Sequence, residues 1–188
     1  FPCDIIHMGI ISDNKSALCD AFRTAATQAD IILSTGGASV GDHDHVKPAL
    51  EAAGAVIDFW KIAMRPGKPL MAGRLDGVPM LGLPGNPVSA IVCGHLFLLP
   101  MLRAMQGLPA RAAPTARAVL AEDVGPAGPR VHYMRARLSA TDGLPQIAPF
   151  VSQDSALLRI LTEADALLIR PQGDGPRRAG EVVDFLPL

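Results

Sequence analysis

Apolar and polar positions change period along the chain, and the changes outline its elements. Asp4–Ile11 is an apolar run of strand length, and Ser12-Asp13-Asn14 after it offers N-cap side chains. From Lys15 to Thr27, Leu18, Ala21, Phe22 and Ala25 recur at helical spacing. Asp30–Ser34 reads as a short buried strand. The glycine-rich loop Thr35–Asp42 follows, and then a helix over Val46–Ala53 that Gly54 closes. Ala55–Ala63 reads as the next strand. Pro69–Arg74 and Val78–Leu83 flank Asp76-Gly77, a hairpin dipeptide. Leu83-Pro84-Gly85-Asn86-Pro87 then leads into an apolar helix, Val88–Gln106. Asn86 suits its N-cap and Pro87 its first position, and Pro100 is expected to kink or break it. Strands alternating with helices predict a mostly parallel, three-layer α/β sheet.

The pattern shifts after Gly107. Leu108–Thr115 reads as a linker. Short strand candidates follow at Ala116–Leu120, Val131–Leu138, Ile147–Phe150, Ala166–Ile169 and Val182–Leu186. Ser155–Leu161 adds a helical turn or two. The expected organisation is an α/β domain over residues 1–107, a linker over 108–115 and a small β-barrel-like domain over 116–188.

Composition narrows the function classes. The chain has 188 residues, is 49% hydrophobic and 19% charged, and carries a formal net charge of −1, which argues against nucleic-acid binding by bulk electrostatics. Its 18 Gly and 17 Pro gather in the motif loops and in the β-rich tail, so they mark turns rather than disorder. Cys3, Cys19 and Cys93 are too far apart for a CxxC site and odd in number, which points to reduced thiols and a cytoplasmic protein. The apolar stretch Val88–Met105 contains His95, Pro100 and Arg103, a poor composition for a membrane span, so no membrane association is expected. No signal-peptide pattern opens the chain, and its start at Phe1 suggests a fragment.

Candidate chemistry sits in three loops. Gly36 and Gly37, between a strand and a helix, can present backbone amides to an anion, and a helix N-terminus adds partial positive charge. The spelling is neither GxGxxG nor GxxxxGK[ST]. Asp42-His43-Asp44-His45 cannot converge on one metal, but one carboxylate there could hold Mg²⁺ through waters. Asp13 and Asp44 both follow strands, so they could meet at the carboxyl edge of a sheet; Asp13 as a helix cap is the competing account. Arg65-Pro66-Gly67-Lys68-Pro69 sets two cations in a stiff loop suited to an oxyanion. Pro84-Gly85-Asn86-Pro87, with Ser89 in the next turn, forms a second anion seat at a helix start.

Ser34-Thr35-Gly36-Gly37-Ala38-Ser39-Val40-Gly41-Asp42-His43-Asp44, Arg65–Pro69 and Gly82–Ser89, in this order and ahead of a β-rich tail, resemble the MoeA family of molybdopterin molybdenumtransferases, which includes the gephyrin E domain. The resemblance covers essentially the whole chain. It implies insertion of molybdate into adenylylated molybdopterin with release of AMP, assisted by Mg²⁺ or a similar divalent cation. Asp13 and Asp44 would then hold the metal and, with Lys68, act in catalysis. Thr35, Gly36, Gly37, Ser39, Gly41, Arg65, Pro84, Gly85, Asn86, Pro87 and Ser89 would contact substrate. Arg135 and Ser155 resemble positions facing the molybdate pocket; apart from that resemblance, Arg135 reads as an exposed strand residue. Family members carry two earlier domains and a first strand ahead of the position of Phe1, so the resemblance implies an inactive fragment of a longer homodimer. A molybdopterin adenylyltransferase is the implied pathway partner. The alternatives are an adenylyltransferase acting on molybdopterin itself and a non-catalytic, gephyrin-like scaffold.

Overall fold

The computed structural model describes residues 2–37, 45–109 and 111–188. They fall into two compact units, Phe1–Ile62 with Gly67–Gly85, and Ala63–Pro66 with Asn86–Leu188.

The first unit begins with helix α1 (Lys15–Gln28), strand β1 (Ile32–Thr35), helix α2 (Val46–Ala53) and strand β2 (Val56–Trp60). Strand β3 (Met64–Arg65) belongs to the second unit, after which β4 (Met71–Leu75) and β5 (Val78–Leu83) return to the first. The α1 cap is Asn14, whose Oδ1 accepts from the Ser16 and Ala17 amides at 2.9 and 3.3 Å. Asp13 beside it is exposed and does not take that role. Helix α2 has the expected bounds, because Gly54 at φ 101° takes the left-handed position that ends it.

The sheet order is β1-β5-β4-β2. Strands β1 and β5 are parallel, whereas β4 runs antiparallel to both β5 and β2. The sheet is therefore mixed, not mostly parallel as expected. The cause is the Asp76-Gly77 turn: both residues have positive φ, 51° and 82°, and a two-residue turn of that kind joins antiparallel strands. Helices α1 and α2 cover one sheet face, where Leu18, Phe22, Ala49 and Leu50 meet Ile32, Met71, Leu75 and Met80. Of the three expected layers, this unit by itself supplies a sheet and that helical layer.

Asp4–Ile11 is not a strand. Gly9 turns the run at φ 75° and its N–H donates to His7 Nδ1, while Ile5 and Ile10 are 83% and 102% exposed. An apolar run becomes a strand only where a neighbouring strand takes up its backbone groups, and none does so among the described residues.

The second unit opens with α3 (Pro87–Cys93), a π-helical turn (Gly94–Leu98) and α4 (Leu99–Met105). Pro100 does not break this helix. The Leu99 N–H reaches back to Gly94 O, and the widened turn makes room for a proline ring that would clash in a regular helix. By length and composition alone, Pro87–Met105 would suffice to cross a membrane.

Strands β6 (Ala116–Leu120), β7 (Val131–Ser139), β8 (Gln146–Pro149), β9 (Ala166–Arg170) and β10 (Val182–Pro187) follow, with helix α5 (Leu158–Thr162) before β9. Pairing runs β7-β8-β6-β10-β9, and β9 returns to β7, which closes a five-stranded barrel. Ala118, Leu120, Ala136, Ile147, Ala166, Leu168 and Phe185 fill it. Strand β3 joins β7 in parallel, with Arg65 opposite His132.

Candidate functional site

Parallel β1 and β5, with β2 in the same direction beyond β4, put Thr35, Leu83 and Trp60 at one edge of the first unit's sheet. Gly36 and Gly37 leave that edge at φ 85° and 62°, and the Gly36 N–H donates to Leu83 O at 3.1 Å. The Pro84-Gly85 turn passes so close that a Cβ on Gly85 would sit 3.1 Å from Gly36 Cα. The two glycine loops thus approach one another through bare backbone. Next to them Ser34 Oγ is buried without a hydrogen-bond partner among the described residues. Ser39, Gly41 and Asp44 lie outside the described residues, as do Asp42 and His43.

Lys68 stands on the β2–β4 connection of the same unit. Its side chain is exposed, and its carbonyl accepts from the Ile62 N–H at 3.0 Å. Lys61, which the sequence reading missed, has φ 72° and places Nζ 4.0 Å above the Trp60 ring, with Lys47 Nζ at 5.4 Å. No sequence signal marks a lysine for the left-handed region, so this cation was not legible.

The Arg65–Lys68 motif is divided between the units. Arg65 is in β3, paired with β7, whereas Lys68 belongs to the first unit. The Asn86 motif behaves as a local cap. Asn86 Oδ1 accepts from the Val88 and Ser89 amides at 3.1 and 3.4 Å, so those donors are engaged within α3, and Ser89 is buried.

Arg135 is not the exposed strand residue that its pattern suggests. It is 2% exposed, and its Nη1 and Nη2 donate to the carbonyls of Leu157 and Asp154 at 3.0 and 2.9 Å. Gln153 completes the clamp: its Oε1 accepts the Arg135 N–H, and its Nε2 donates to Arg135 O and Phe150 O. The segment carrying Ser155 is thereby fixed to β7, and Arg135 and Ser155 belong to one feature. Burial lowers the Arg135 pKa; Asp154 opposes this and Arg65 adds to it. His132, also unforeseen, is held down to about 4, first by burial and then by Arg65, Arg130, Arg170 and Arg135.

Arg170 closes the barrel end. It is 1% exposed, bonds Asp174 at 2.6 Å and Gly125 O at 3.0 Å, and also donates to Gly175 O. Arg177 shares Asp174, and these contacts hold the Asp174 carboxyl below the usual carboxylate range.

Among the described residues no three His, Cys, Asp or Glu side chains cluster as a metal site. Asp13 is exposed and pairs with no described residue, so its carboxylate is available as a hard oxygen donor of the kind Mg²⁺ takes.

This is an α/β unit with two glycine loops meeting at one sheet edge, followed by a closed barrel. A family model described as "Probable molybdopterin binding domain" matches residues 1–104, and one described as "MoeA C-terminal region (domain IV)" matches residues 117–188. The chain belongs to the MoeA/gephyrin-like molybdopterin molybdenumtransferase family. It is 33% identical over 187 residues to a protein named molybdopterin molybdenumtransferase from Haemophilus influenzae, covering 98% of this chain and 46% of that protein. A namesake from Nostoc sp. is 36% identical over 188 residues, covering 97% and 43%. The chain thus spans less than half the length of these relatives. Two solved structures share the fold. The molybdopterin biosynthesis MoeA protein of Pyrococcus horikosii has a TM-score of 0.76 at 24% identity, covering 96% of this chain and 42% of that one. A molybdenum cofactor biosynthesis protein of Pyrococcus furiosus has 0.73 at 23%, covering 97% and 58%.

Proposed function

We propose that this chain is the molybdopterin-binding and C-terminal portion of a protein that inserts molybdate into adenylylated molybdopterin and releases AMP, in molybdenum cofactor biosynthesis. The observation that carries this reading is the contact between the Gly36 and Gly85 loops at the carboxyl edge of β1 and β5. It occurs in a chain similar along nearly its whole length to named molybdenumtransferases. The Gly37 backbone amide would seat the phosphate beside Gly36, whose own N–H is held by Leu83 O, with Thr35, Ser39, Gly41, Pro84 and Gly85 around it. Lys68 would neutralise charge on the reacting phosphates, Arg65 and Ser155 would face the oxyanion, and the buried Arg135, its guanidinium engaged by the Leu157 and Asp154 carbonyls, would hold the Ser155 segment in place. Asn86 and Pro87 would fix the start of α3 and with it Ser89. Asp13 and Asp44 would hold a divalent cation, which supplies charge neutralisation at the pyrophosphate when bound. Activity is proposed for the longer protein as a cytoplasmic homodimer, working after a molybdopterin adenylyltransferase.

The test supplies the full-length protein with adenylylated molybdopterin, molybdate and Mg²⁺ and measures AMP. Molybdate-dependent AMP release, weakened by Asp44→Asn at limiting Mg²⁺, is the expected result. Release of pyrophosphate from ATP and molybdopterin instead would identify an adenylyltransferase. No turnover of either substrate pair would leave the scaffold role.

A further inference from the structure

Register places three basic side chains in one row across the second unit. Arg65 on β3 is opposite His132 on β7, and His132 is opposite Arg170 on β9. Paired residues of neighbouring strands share a sheet face, and this face carries Met134 and Ala136 into the barrel. The two ends of the row differ. Arg170 is buried and saturated by Asp174 and the carbonyls of Gly125 and Gly175. Arg65 is exposed, and its side chain makes no hydrogen bond or ion pair with a described residue; the Arg130 side chain likewise makes none. Between them the half-buried His132 imidazole also has no hydrogen-bond partner among the described residues.

We propose that His132 and Arg65 form part of one tetrahedral-oxyanion site, and that His132 takes up a proton from solvent when the anion binds. This rests on the reading of Arg65 as an anion-binding residue given above. The charged groups around the imidazole are Arg130 and Arg135 on its own strand, Arg65 on β3 and Arg170 on β9. Asp174 is shared by Arg170 and Arg177, and Asp154 lies beside Arg135, so neither carboxylate is left over for the histidine. The imidazole is therefore neutral until negative charge arrives at Arg65. An anion there offsets the guanidinium field and accepts an N–H from the ring, and protonation then becomes favourable. The only bond formed is N–H on the imidazole, and the row stays otherwise unchanged.

Sulfate is the probe, because it does not itself titrate in the range used. Binding to the full-length protein is followed by calorimetry in two buffers of different ionisation enthalpy. In the wild type, affinity should rise about tenfold from pH 7 to pH 5, with uptake approaching one proton per sulfate. His132→Gln should lose both the pH dependence and the proton uptake, whatever its affinity at pH 7. Arg65→Met should lose sulfate binding. The His132 C2-proton resonance needs no variant, and its midpoint should move from about 4 towards about 6 on saturation with sulfate. Absence of sulfate binding in the wild type, an unmoved His132 midpoint, or equal proton uptake by His132→Gln would each overturn the proposal. No pterin or AMP enters these measurements, so they fail or succeed independently of the transferase reading.

Discussion

Gly36 and Gly85 approach through their main chains so closely that a Cβ on Gly85 would crowd Gly36 Cα at 3.1 Å. Gly36 also lies at φ 85°, where a Cβ costs about 1–2 kcal/mol. Gly36→Ala should therefore lower stability by about that amount, read from urea unfolding. Gly85→Ala should cost less in stability, because its φ is ordinary, but should separate the two loops. Its measurable effect should be weaker binding of phosphate-bearing ligands by calorimetry, and unchanged affinity would refute the shared cradle.

Arg135 holds the segment over residues 153–157 by its two guanidinium bonds to backbone carbonyls. Arg135→Met keeps the length and loses both charge-assisted bonds, a cost of about 2–3 kcal/mol. The variant should be cut faster by protease between Phe150 and Leu158 while the barrel strands remain protected from hydrogen exchange. Equal cleavage rates would show that Gln153 suffices as the anchor.

Acid should weaken the fold in two stages. His132 in the unfolded chain protonates near its ordinary 6.5, but in the folded chain only near about 4, because of burial and the surrounding arginines. Its contribution is complete above pH 6.5 and is lost as pH falls through about 4. Asp174 is lowered by its bond to Arg177 and, against the cost of burial, by Arg170. Its contribution is present above its unfolded value of 3.8 and is lost as pH falls through the lower folded one. The urea midpoint should fall steadily from pH 6.5 to 4 in the wild type and flatten over that interval in His132→Gln. An identical slope in both would remove His132 as the cause.

Burial pushes the Cys93 thiol up to about 12, while Cys3 is exposed. At pH 8 a thiol reagent should modify Cys3 promptly and leave Cys93 untouched until denaturant is added. Rapid modification of Cys93 in the native protein would show that its surroundings open readily.

Short-range signals carried much of this structure. Gly54, Asn86 and Asp76-Gly77 act on their own neighbours, so the end of α2, the cap of α3 and the β4–β5 turn were readable. That same turn already contradicted a mostly parallel sheet, and the helix–strand alternation outweighed it in the sequence reading. What could not be read depends on partners distant in sequence. The two residues of β3 carry no strand signature and become one only because β7 supplies the ladder. Asp4–Ile11 has the signature and no ladder. The row Arg65–His132–Arg170 is a matter of register across three strands, which residue spacing does not encode. The burial of Arg135 likewise depends on carbonyls about twenty positions away.

The excursion through Ala63–Pro66 limits how this protein can be divided and recombined. A cut at the proline-rich stretch after Gly107 looks clean on paper, yet it would strip β7 of the parallel partner that meets Val131 and His132. The Val131 N–H, which donates to Ala63 O at 2.9 Å, would be left without its acceptor. A barrel transplanted into another host would therefore need a short surrogate strand at that edge.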